Sequence, residues 1–397
     1  MTPEAGLRDS RAVVSLRPAE RTRELRPFLA MEVMERAVEL EAAGAQVLHL
    51  GLGEPDAPPP PAAVEAASRA LAEGRTRYTD SRGLRALREA IAADKERRTG
   101  VAVDPDRVLV TSGTSPAMLI VFSLLVEPGD EVVLGAPYYP CYPNFVRLCG
   151  GVPIAVPCDP ADGFALRAER VKAAIGPRTR AIVVASPANP TGAVQSLASF
   201  EELAALGLPI VSDEIYDGLV YGGARAPSVL ETGARDAFVL DGFSKRYAMT
   251  GFRLGYTIAP SAETARALQV LCQNLFLSAA EFVQYAGIAA LRFGEPTVSA
   301  MRERYARQRE RILAGLAALG LRVAVPPAGA FYVLADARHV DRDSRRLAFR
   351  ILEEAHVAVT PGIDFGDAAE GFLRFCYAVS DDTLDTALLR MRRVLAP

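Results

Sequence analysis

The feature that most constrains the fold is an alternation of short apolar segments with helix-like segments between about residues 105 and 260. Strands that are buried on both faces are near-continuous apolar runs, and such runs separated by helices are typical of a parallel sheet. The pattern therefore predicts an α/β fold, with a mostly parallel sheet flanked by helices. The predicted strands are 107–111, 131–135, 152–156, 180–185, 208–212, 236–241 and 254–259.

Polar groups follow several of these strands directly. Asp213 ends the segment PIVSD, Asn189 follows AIVVASPA, and Gly113, Thr114 and Ser115 follow RVLVTS and open an apolar helical run. Ligands of open α/β sheets bind at the carboxyl ends of the strands. The backbone N–H groups at a helix N-terminus can receive a phosphate. We therefore expect a ligand site at this edge of the sheet.

A lysine and an arginine lie close together in the segment DGFSKRYAMTGFRLGY, residues 241–256. Lys245 follows a predicted strand, and a lysine held away from water there can lose its proton and act as a nucleophile. Arg253 offers a planar fork that suits a phosphate. This pair is what pyridoxal phosphate (PLP) requires, although a solvated surface lysine is the ordinary interpretation of an isolated match.

Nine segments in order along the chain, from about Phe28 to Val394, resemble the fold type I PLP-dependent aminotransferases of the class I/II family, which includes aspartate aminotransferase. In chain order they are GLGEPD (51–56), YTDSRGLRALREAIA (78–92), PYYPCYP (137–143), SPANPTG (186–192), SDEIYD (212–217), GFSKRYAMTGFRLGY (242–256), PPAGAFYVL (326–334), TPGIDFG (360–366) and FLRFCYAVS (372–380). The resemblance implies the PLP-dependent transferase fold, with a large PLP-binding domain over 51–295. A smaller α+β domain is expected over 1–50 and 296–397.

The resemblance implies a role for each polar residue that faces the cofactor. Lys245 would form a Schiff base with PLP and then move the proton at Cα. Asp213 would pair with the protonated pyridine nitrogen, and Asn189 and Tyr216 would hydrogen-bond the phenolic oxygen. Tyr139 would stack on the pyridine ring. Considered alone, these residues could equally be a helix cap, a turn residue and core tyrosines.

The same resemblance places the cofactor phosphate between the backbone of Gly113, Thr114 and Ser115 and the side chain of Arg253. Similar enzymes often carry Ser or Thr three residues before the lysine, where this chain has Gly242. One phosphate hydroxyl is therefore missing, and Ser244 could compensate for it.

Substrate binding is expected to involve Arg374, which would clamp the α-carboxylate with two parallel hydrogen bonds. Gly53 would offer a backbone contact, and Asn189 would border the substrate. Because side chains alternate along the strand FLRFCYAV, Arg374 faces the side opposite Leu373 and Phe375. Tyr78 heads a Y-x-x-x-x-G motif whose tyrosine reaches the phosphate of the other subunit in similar enzymes, which implies a homodimer.

Three functions remain open from the sequence. An aminotransferase that exchanges an amino group between an L-amino acid and a 2-oxo acid is the leading interpretation. Other PLP chemistry on the same fold, such as a β-lyase, synthase or decarboxylase, would use the same cofactor residues. A PLP-binding regulator without turnover is the third, but such proteins carry an added DNA-binding segment, and this chain has a net charge of −3.

Side-chain specificity is expected to favour a neutral or aromatic amino acid. No Arg, Lys or His lies between Arg266 and Arg292, where an arginine of aspartate-type enzymes would fall, and Ser115 stands where some relatives use a lysine. The residues expected to border the pocket are apolar: Phe28, Leu29, Leu275 and Phe276.

The composition argues against several partners. The charge balance disfavours a nucleic-acid partner, and the longest apolar stretch, 117–126, is too short to span a membrane. The five cysteines are irregularly spaced, which indicates reduced thiols in a cytoplasmic protein. The arginine-rich N-terminus, from Arg8 to Arg23, has no apolar signal core. The three histidines lack ligand spacing, so no metal site is expected.

Overall fold

A computed structural model describes residues 17–223 and 225–395. The first sixteen residues of the predicted small domain, including Arg8 and Arg11, lie outside the described residues. The helices are α1 (Glu20–Arg23), α2 (Leu29–Ala42), α3 (Pro61–Ala72), α4 (Arg85–Thr99), α5 (Thr114–Leu125), α6 (Cys141–Leu148), α7 (Ala168–Ala174), α8 (Leu197–Ala204), α9 (Ala262–Leu275), α10 (Glu281–Phe293), α11 (Glu295–Ala318), α12 (Ser344–Ala355) and α13 (Asp381–Leu395). The strands are β1 (Leu48–His49), β2 (Val108–Thr111), β3 (Glu131–Ala136), β4 (Val152–Pro157), β5 (Thr179–Ala185), β6 (Ile210–Asp213), β7 (Ala237–Gly242), β8 (Gly255–Ile258), β9 (Tyr332–Asp336), β10 (Val357–Ala358), β11 (Thr360–Pro361) and β12 (Phe372–Cys376).

The central sheet has seven strands in the order β2-β8-β7-β6-β5-β3-β4. All neighbouring strands are parallel except β8, which is antiparallel to both β2 and β7. The mostly parallel α/β sheet predicted from the apolar runs is therefore confirmed, and each of the seven strands lies within two residues of its predicted ends.

Helices cover both faces of this sheet because successive strand residues point to opposite sides. On β3, Val133 packs into the core beneath α3, α4, α8 and α10, whereas Val132 and Leu134 pack into the core beneath α5, α6 and α9. Burial of one such side chain contributes roughly 1.5–3 kcal/mol. The two-sided burial explains why the strands read as unbroken apolar runs instead of alternating ones.

A second group of elements follows α10. A three-stranded antiparallel sheet has the order β11-β12-β9, β1 pairs with β10, and α11, α12 and α13 pack around a separate hydrophobic core. We propose the predicted boundary, with a large domain over 51–295, on the basis of these separate cores and sheets. The core of the second group also includes Ile215 and Leu219 of the large domain, so the two parts are in close contact.

The sheet positions the candidate site at the carboxyl ends of its parallel strands. Asp213 is the last residue of β6, and Lys245 lies three residues beyond the end of β7. Strand β12 of the second sheet carries Arg374 towards the same place. Within the described part of the chain, no helix combines the length and apolar character needed to cross a bilayer.

Candidate active site

A cavity of about 210 Å³ lies between the carboxyl edge of the central sheet and the second group of elements. Most of the residues that the sequence singles out border it: Gly53, Thr114, Ser115, Tyr139, Asn189, Asp213, Tyr216, Ser244, Lys245, Arg253 and Arg374. These residues span more than 300 positions of the chain, so the fold brings together the side chains that the motifs only suggested.

Lys245 presents its amine to this cavity. Its Nζ donates a hydrogen bond to the Gly53 carbonyl oxygen at 2.7 Å. Burial lowers the pKa of the Lys245 amine from 10.5 to about 8, because the charged form loses hydration. Near pH 8 about half of such amines are neutral, against less than about 1% for an ordinary lysine. An amine with such a lowered pKa is suited to act as a nucleophile.

Asp213 lies at another part of the cavity wall and is buried. One carboxylate oxygen accepts a hydrogen bond from the Tyr142 hydroxyl at 2.6 Å, and the other accepts from the Ile215 N–H at 3.2 Å. Burial raises the pKa of Asp213 to about 6, against the lowering effect of these two hydrogen bonds. A buried carboxylate with no cationic partner within 4.0 Å among the described residues is suited to pair with a cation that enters the cavity.

Tyr142 is a site residue that the sequence reasoning missed. It lies in α6, borders the cavity and donates to Asp213. The segment PYYPCYP contains three tyrosines, and only the geometry of α6 shows which of them reaches the carboxylate. Tyr139 also borders the cavity. Its ring packs edge-to-face with the Phe28 ring, and the two ring centroids are 6.0 Å apart.

The N-terminus of α5 forms an anion-binding corner of the cavity. Gly113 precedes the helix with φ of +103°, a conformation that favours glycine. A Cβ at Gly113 would lie 2.9 Å from Nη2 of Arg253, so a side chain there would fill the space in front of the guanidinium. The helix N–H groups, the hydroxyls of Thr114 and Ser115, and Arg253 together form a site that suits a phosphate.

The glycine that departs from the family pattern has a structural reason. Gly242 pairs with Gly255 across β7 and β8. A Cβ on Gly242 would lie 3.0 Å from Gly255 Cα and 3.0 Å from the Leu254 carbonyl oxygen. The tight approach of these strands disfavours serine at position 242. Ser244 is buried and borders the cavity, where a hydroxyl could serve instead.

Arg374 is 2% exposed and forms the opposite wall of the cavity. Nη1 donates to Asn189 Oδ1 at 2.8 Å, and Nη2 donates to Thr360 Oγ1 at 3.0 Å and to the Gly51 carbonyl oxygen. The guanidinium lies 4.5 Å from the Tyr332 ring centroid and 4.9 Å from that of Phe365. These contacts fix its orientation without neutralising it.

No carboxylate lies within 4.0 Å of Arg374 among residues 17–223 and 225–395, and its Nε has no hydrogen-bond partner there. A buried charge is costly unless it is paired. The arrangement therefore suits an anionic group supplied by a ligand.

Tyr216 and Tyr332 join the two sides of the cavity. Their hydroxyls are 2.8 Å apart, and burial raises the pKa of Tyr216 well above 10. Tyr332 is a further lining residue that the sequence reasoning missed. Its only sequence signal is its place in PPAGAFYVL, next to the equally aromatic Phe331.

Some predicted residues do not border this cavity. Tyr78 is 83% exposed and lies away from it. Of the apolar residues expected to border the pocket, Leu29, Leu275 and Phe276 do not line the cavity of this chain. Leu275 and Phe276 lie at the end of α9 and are 49% and 36% exposed. Phe28 does border the cavity. In the part of the chain that the structure describes, no three His, Cys, Asp or Glu side chains are grouped so as to hold a metal ion.

Comparisons with known proteins identify the family of this chain. The sequence pattern of the family described as aminotransferase class I and II matches residues 45–391. The chain is 41% identical to aspartate/prephenate aminotransferase of Thermus thermophilus, over 95% of this chain and 98% of that protein. It is 37% identical to valine–pyruvate aminotransferase of Mycobacterium tuberculosis, over 92% of this chain and 95% of that protein. The solved structure of aspartate aminotransferase from Thermus thermophilus with maleate superposes with a TM-score of 0.91 at 40% identity, over 96% of this chain and all of that one.

Proposed function

Because the chain belongs to the class I and II aminotransferase family and is an aminotransferase, we propose that it binds PLP at Lys245 and uses the cavity residues described above for transamination between an L-amino acid and a 2-oxo acid. The observation that carries the proposal is the arrangement of Arg374 and Lys245. A buried guanidinium without a carboxylate partner and an amine with a lowered pKa border one cavity.

The residues present fit PLP at three separate points. The corner formed by Gly113, the start of α5 and Arg253 suits the phosphate. The buried carboxylate of Asp213 suits a protonated pyridine nitrogen. The amine of Lys245 suits the aldehyde. Between these points, Asn189 and Tyr216 have polar groups at the cavity wall that would contact the phenolic oxygen, and Tyr139 would cover one face of the ring.

Bound PLP would supply an electron sink for the electrons left at the substrate Cα when its proton is removed. Asp213 would hold the ring nitrogen in its charged form, since its carboxylate is shielded from water. Lys245 would carry the proton to and from Cα, which requires an amine that gains and loses a proton near neutral pH. The lowered pKa of the Lys245 amine meets this requirement.

Arg374 would bind the α-carboxylate of amino and oxo acids alike. Three of its five N–H donors are engaged by Asn189, Thr360 and Gly51, and the Nε–H and one Nη1–H have no partner among the described residues. A planar guanidinium with unengaged donors suits the carboxylate of a substrate. The other PLP chemistries considered from the sequence have no specific support in the cavity, and the relatives described above are both aminotransferases.

The central test is chemical. Borohydride reduction of the PLP-loaded protein followed by peptide mapping should place the cofactor on Lys245, and purified protein should turn over with 2-oxoglutarate or pyruvate as amino acceptor. Reduction that labels another lysine would remove Lys245 from its role. PLP binding without turnover on any donor and acceptor pair would instead favour a regulator.

We further propose a neutral or aromatic amino donor. The cations that border the cavity among the described residues are Lys245, Arg253 and Arg374, and the roles proposed above already use all three. The remaining wall near Arg374 is formed by Phe28, Tyr139 and other apolar or aromatic groups. A distal carboxylate would find no partner within this subunit and would be costly to bury.

A screen of amino donors with one acceptor tests this specificity. We expect phenylalanine, tyrosine and aliphatic amino acids to have a higher kcat/KM than aspartate and glutamate. Ser115→Lys places a cation in the cavity wall and should raise the relative kcat/KM for aspartate, whereas Ser115→Ala should not. A wild-type preference for aspartate would overturn the proposal.

We also propose a homodimer in the cytoplasm. The exposed side chains of Tyr78 and Leu277 line one surface depression, and a second subunit would cover these apolar groups. The five cysteines form no disulfide, which fits a reducing compartment. Sedimentation of the purified protein tests the oligomeric state.

A further inference from the structure

A network of buried charges lies behind the candidate site and borders none of its cavity. We call it the buried ion network, and it consists of Asp94, Lys95, Arg98, Glu214, Asp217, Asp241 and Arg246. Four carboxylates and three cations are thus collected between α4, β7 and the loops that follow β6 and β7. Charges are rarely buried without a functional reason or an exact partner set.

Lys95 is the centre of this network and is fully buried. Its Nζ lies 2.9 Å from Glu214 Oε2, 2.8 Å from Asp241 Oδ2 and 3.6 Å from Asp217 Oδ2. One ammonium group on α4 therefore holds three carboxylates from two segments: Glu214 and Asp217 in the loop after β6, and Asp241 near the end of β7.

Two of these carboxylates accept further hydrogen bonds. Glu214 Oε1 accepts hydrogen bonds from Ser212 Oγ at 3.0 Å, Ser228 Oγ at 2.9 Å and the Val229 N–H at 3.1 Å. Asp241 accepts from the Tyr256 hydroxyl at 2.8 Å. Burial opposes ionisation of Asp241, but Lys95 and Arg98 outweigh it, and the pKa of Asp241 is lowered.

The network holds the immediate neighbours of the two central site residues. Glu214 follows Asp213, and Arg246 follows Lys245. Arg246 donates to Asp94 Oδ2 at 3.0 Å, and Arg98 donates to the same oxygen at 2.8 Å. Helix α4 is thus tied on one side to the loop after β6 and on the other to the loop after β7.

We propose that the buried ion network positions the Asp213 carboxylate and the Lys245 amine relative to each other, through Glu214 and Arg246. This role rests on the proposed function, in which the two groups bind opposite parts of one rigid cofactor. Ion pairs are a weak source of net stability when buried, since well-packed apolar residues often stabilise as much. What a set of directional contacts such as these adds is a fixed relative position of the groups that it holds.

The experiment compares Glu214→Gln and Arg246→Met with a matched control, Asp130→Asn. Asp130 is also a buried carboxylate in an ion pair, with Arg180 at 3.0 Å, but it lies just before the amino end of β3, far along the sheet from the site. The measurements are the stability of the apoprotein, the Kd for PLP, the visible circular dichroism of bound PLP, and kcat and KM for one amino acid. Arg246→Lys, which keeps the charge, tests rescue.

We expect Glu214→Gln and Arg246→Met to raise the Kd for PLP and lower kcat by about tenfold or more, the scale seen when a residue that orients a binding group is lost. Visible circular dichroism should weaken, because the ring is less fixed. In both variants KM should change by less than about twofold, since Arg374 lies outside the network. The control Asp130→Asn should change the Kd for PLP and kcat by less than about twofold. Arg246→Lys should recover most of the loss.

Several outcomes would overturn the proposal. One is that both variants lose stability but bind PLP and turn over as the wild type does. Another is that Asp130→Asn impairs Kd and kcat equally. If Glu214→Gln does not fold, Asp217→Asn replaces it, because Asp217 is less buried than Glu214. Asp217→Asn should then raise the Kd for PLP and lower kcat while leaving KM nearly unchanged. A wild-type protein that fails to bind PLP would contradict the proposed function itself, whereas normal variants in a PLP-binding wild type contradict only the network's role.

Discussion

Replacement of Arg374 by lysine tests the substrate-binding geometry most directly. The change keeps a positive charge but removes the planar fork. Arg374 uses three N–H donors on Asn189, Thr360 and Gly51, and its other two donors have no partner among the described residues. Lysine has three donors in total at a single atom, so it cannot serve the same acceptors and also bind two carboxylate oxygens.

The expected magnitude follows from this count. A hydrogen bond to a charged group contributes about 1.5–3 kcal/mol. Loss of one of the two substrate bonds should therefore lower kcat/KM by roughly 10- to 150-fold. Loss of both would cost more. The effect should appear with amino acids and with 2-oxo acids, because both carry the same α-carboxylate.

The assay is steady-state kinetics with one amino donor and one oxo acid acceptor, each varied in turn. Arg338→Lys is the matched control, since Arg338 is an exposed arginine that binds Asp336 through two donors and does not border the cavity. It should leave the kinetics unchanged. A KM that is unchanged by Arg374→Lys for both substrates would refute the reasoning and remove Arg374 from the site.

Further predictions concern the cofactor residues. Lys245→Ala should abolish transamination while its far-ultraviolet circular dichroism stays that of a folded protein, and residual turnover near the wild-type rate would contradict its role. Asp213→Ala should lower the rate by roughly 10²–10³ and weaken PLP binding less; activity within about threefold of wild type would exclude the assigned role. Because burial raises the pKa of Asp213 to about 6, from about 3.9 in the unfolded chain, the folded apoprotein binds more protons between these pH values. The free energy of unfolding of wild type relative to Asp213→Asn should therefore fall, by at most about 3 kcal/mol, as pH rises from about 4 to about 6. Urea titrations across this range that show a constant difference would refute the shift. Tyr78→Phe should weaken PLP binding by roughly 1.5–3 kcal/mol, and mixing it with Lys245→Ala should yield hybrid dimers with one site that lacks both defects; a fully active monomer would end this hypothesis.

The sequence alone determined the class of fold and identified most of the polar residues that border the cavity. Strands buried on two faces need unbroken apolar runs, so all seven strands of the central sheet could be read from composition and spacing. Lys245, Asp213 and Arg374 stand in segments that resemble those of a known family. Their residue types are demanded by the chemistry of an amine, a cation partner and a carboxylate clamp.

Only the tertiary structure decided which distant groups meet. The Gly53 carbonyl accepts from Lys245 across 192 positions, and the partner of Asp213 is Tyr142 instead of another tyrosine of PYYPCYP. The buried ion network around Lys95 could not be predicted from the sequence, because a helix rich in Asp, Lys and Arg has the pattern of a solvent-exposed surface. Local patterns report how a segment folds, whereas these contacts depend on the order of strands in the sheet and on the packing of helices against its edge.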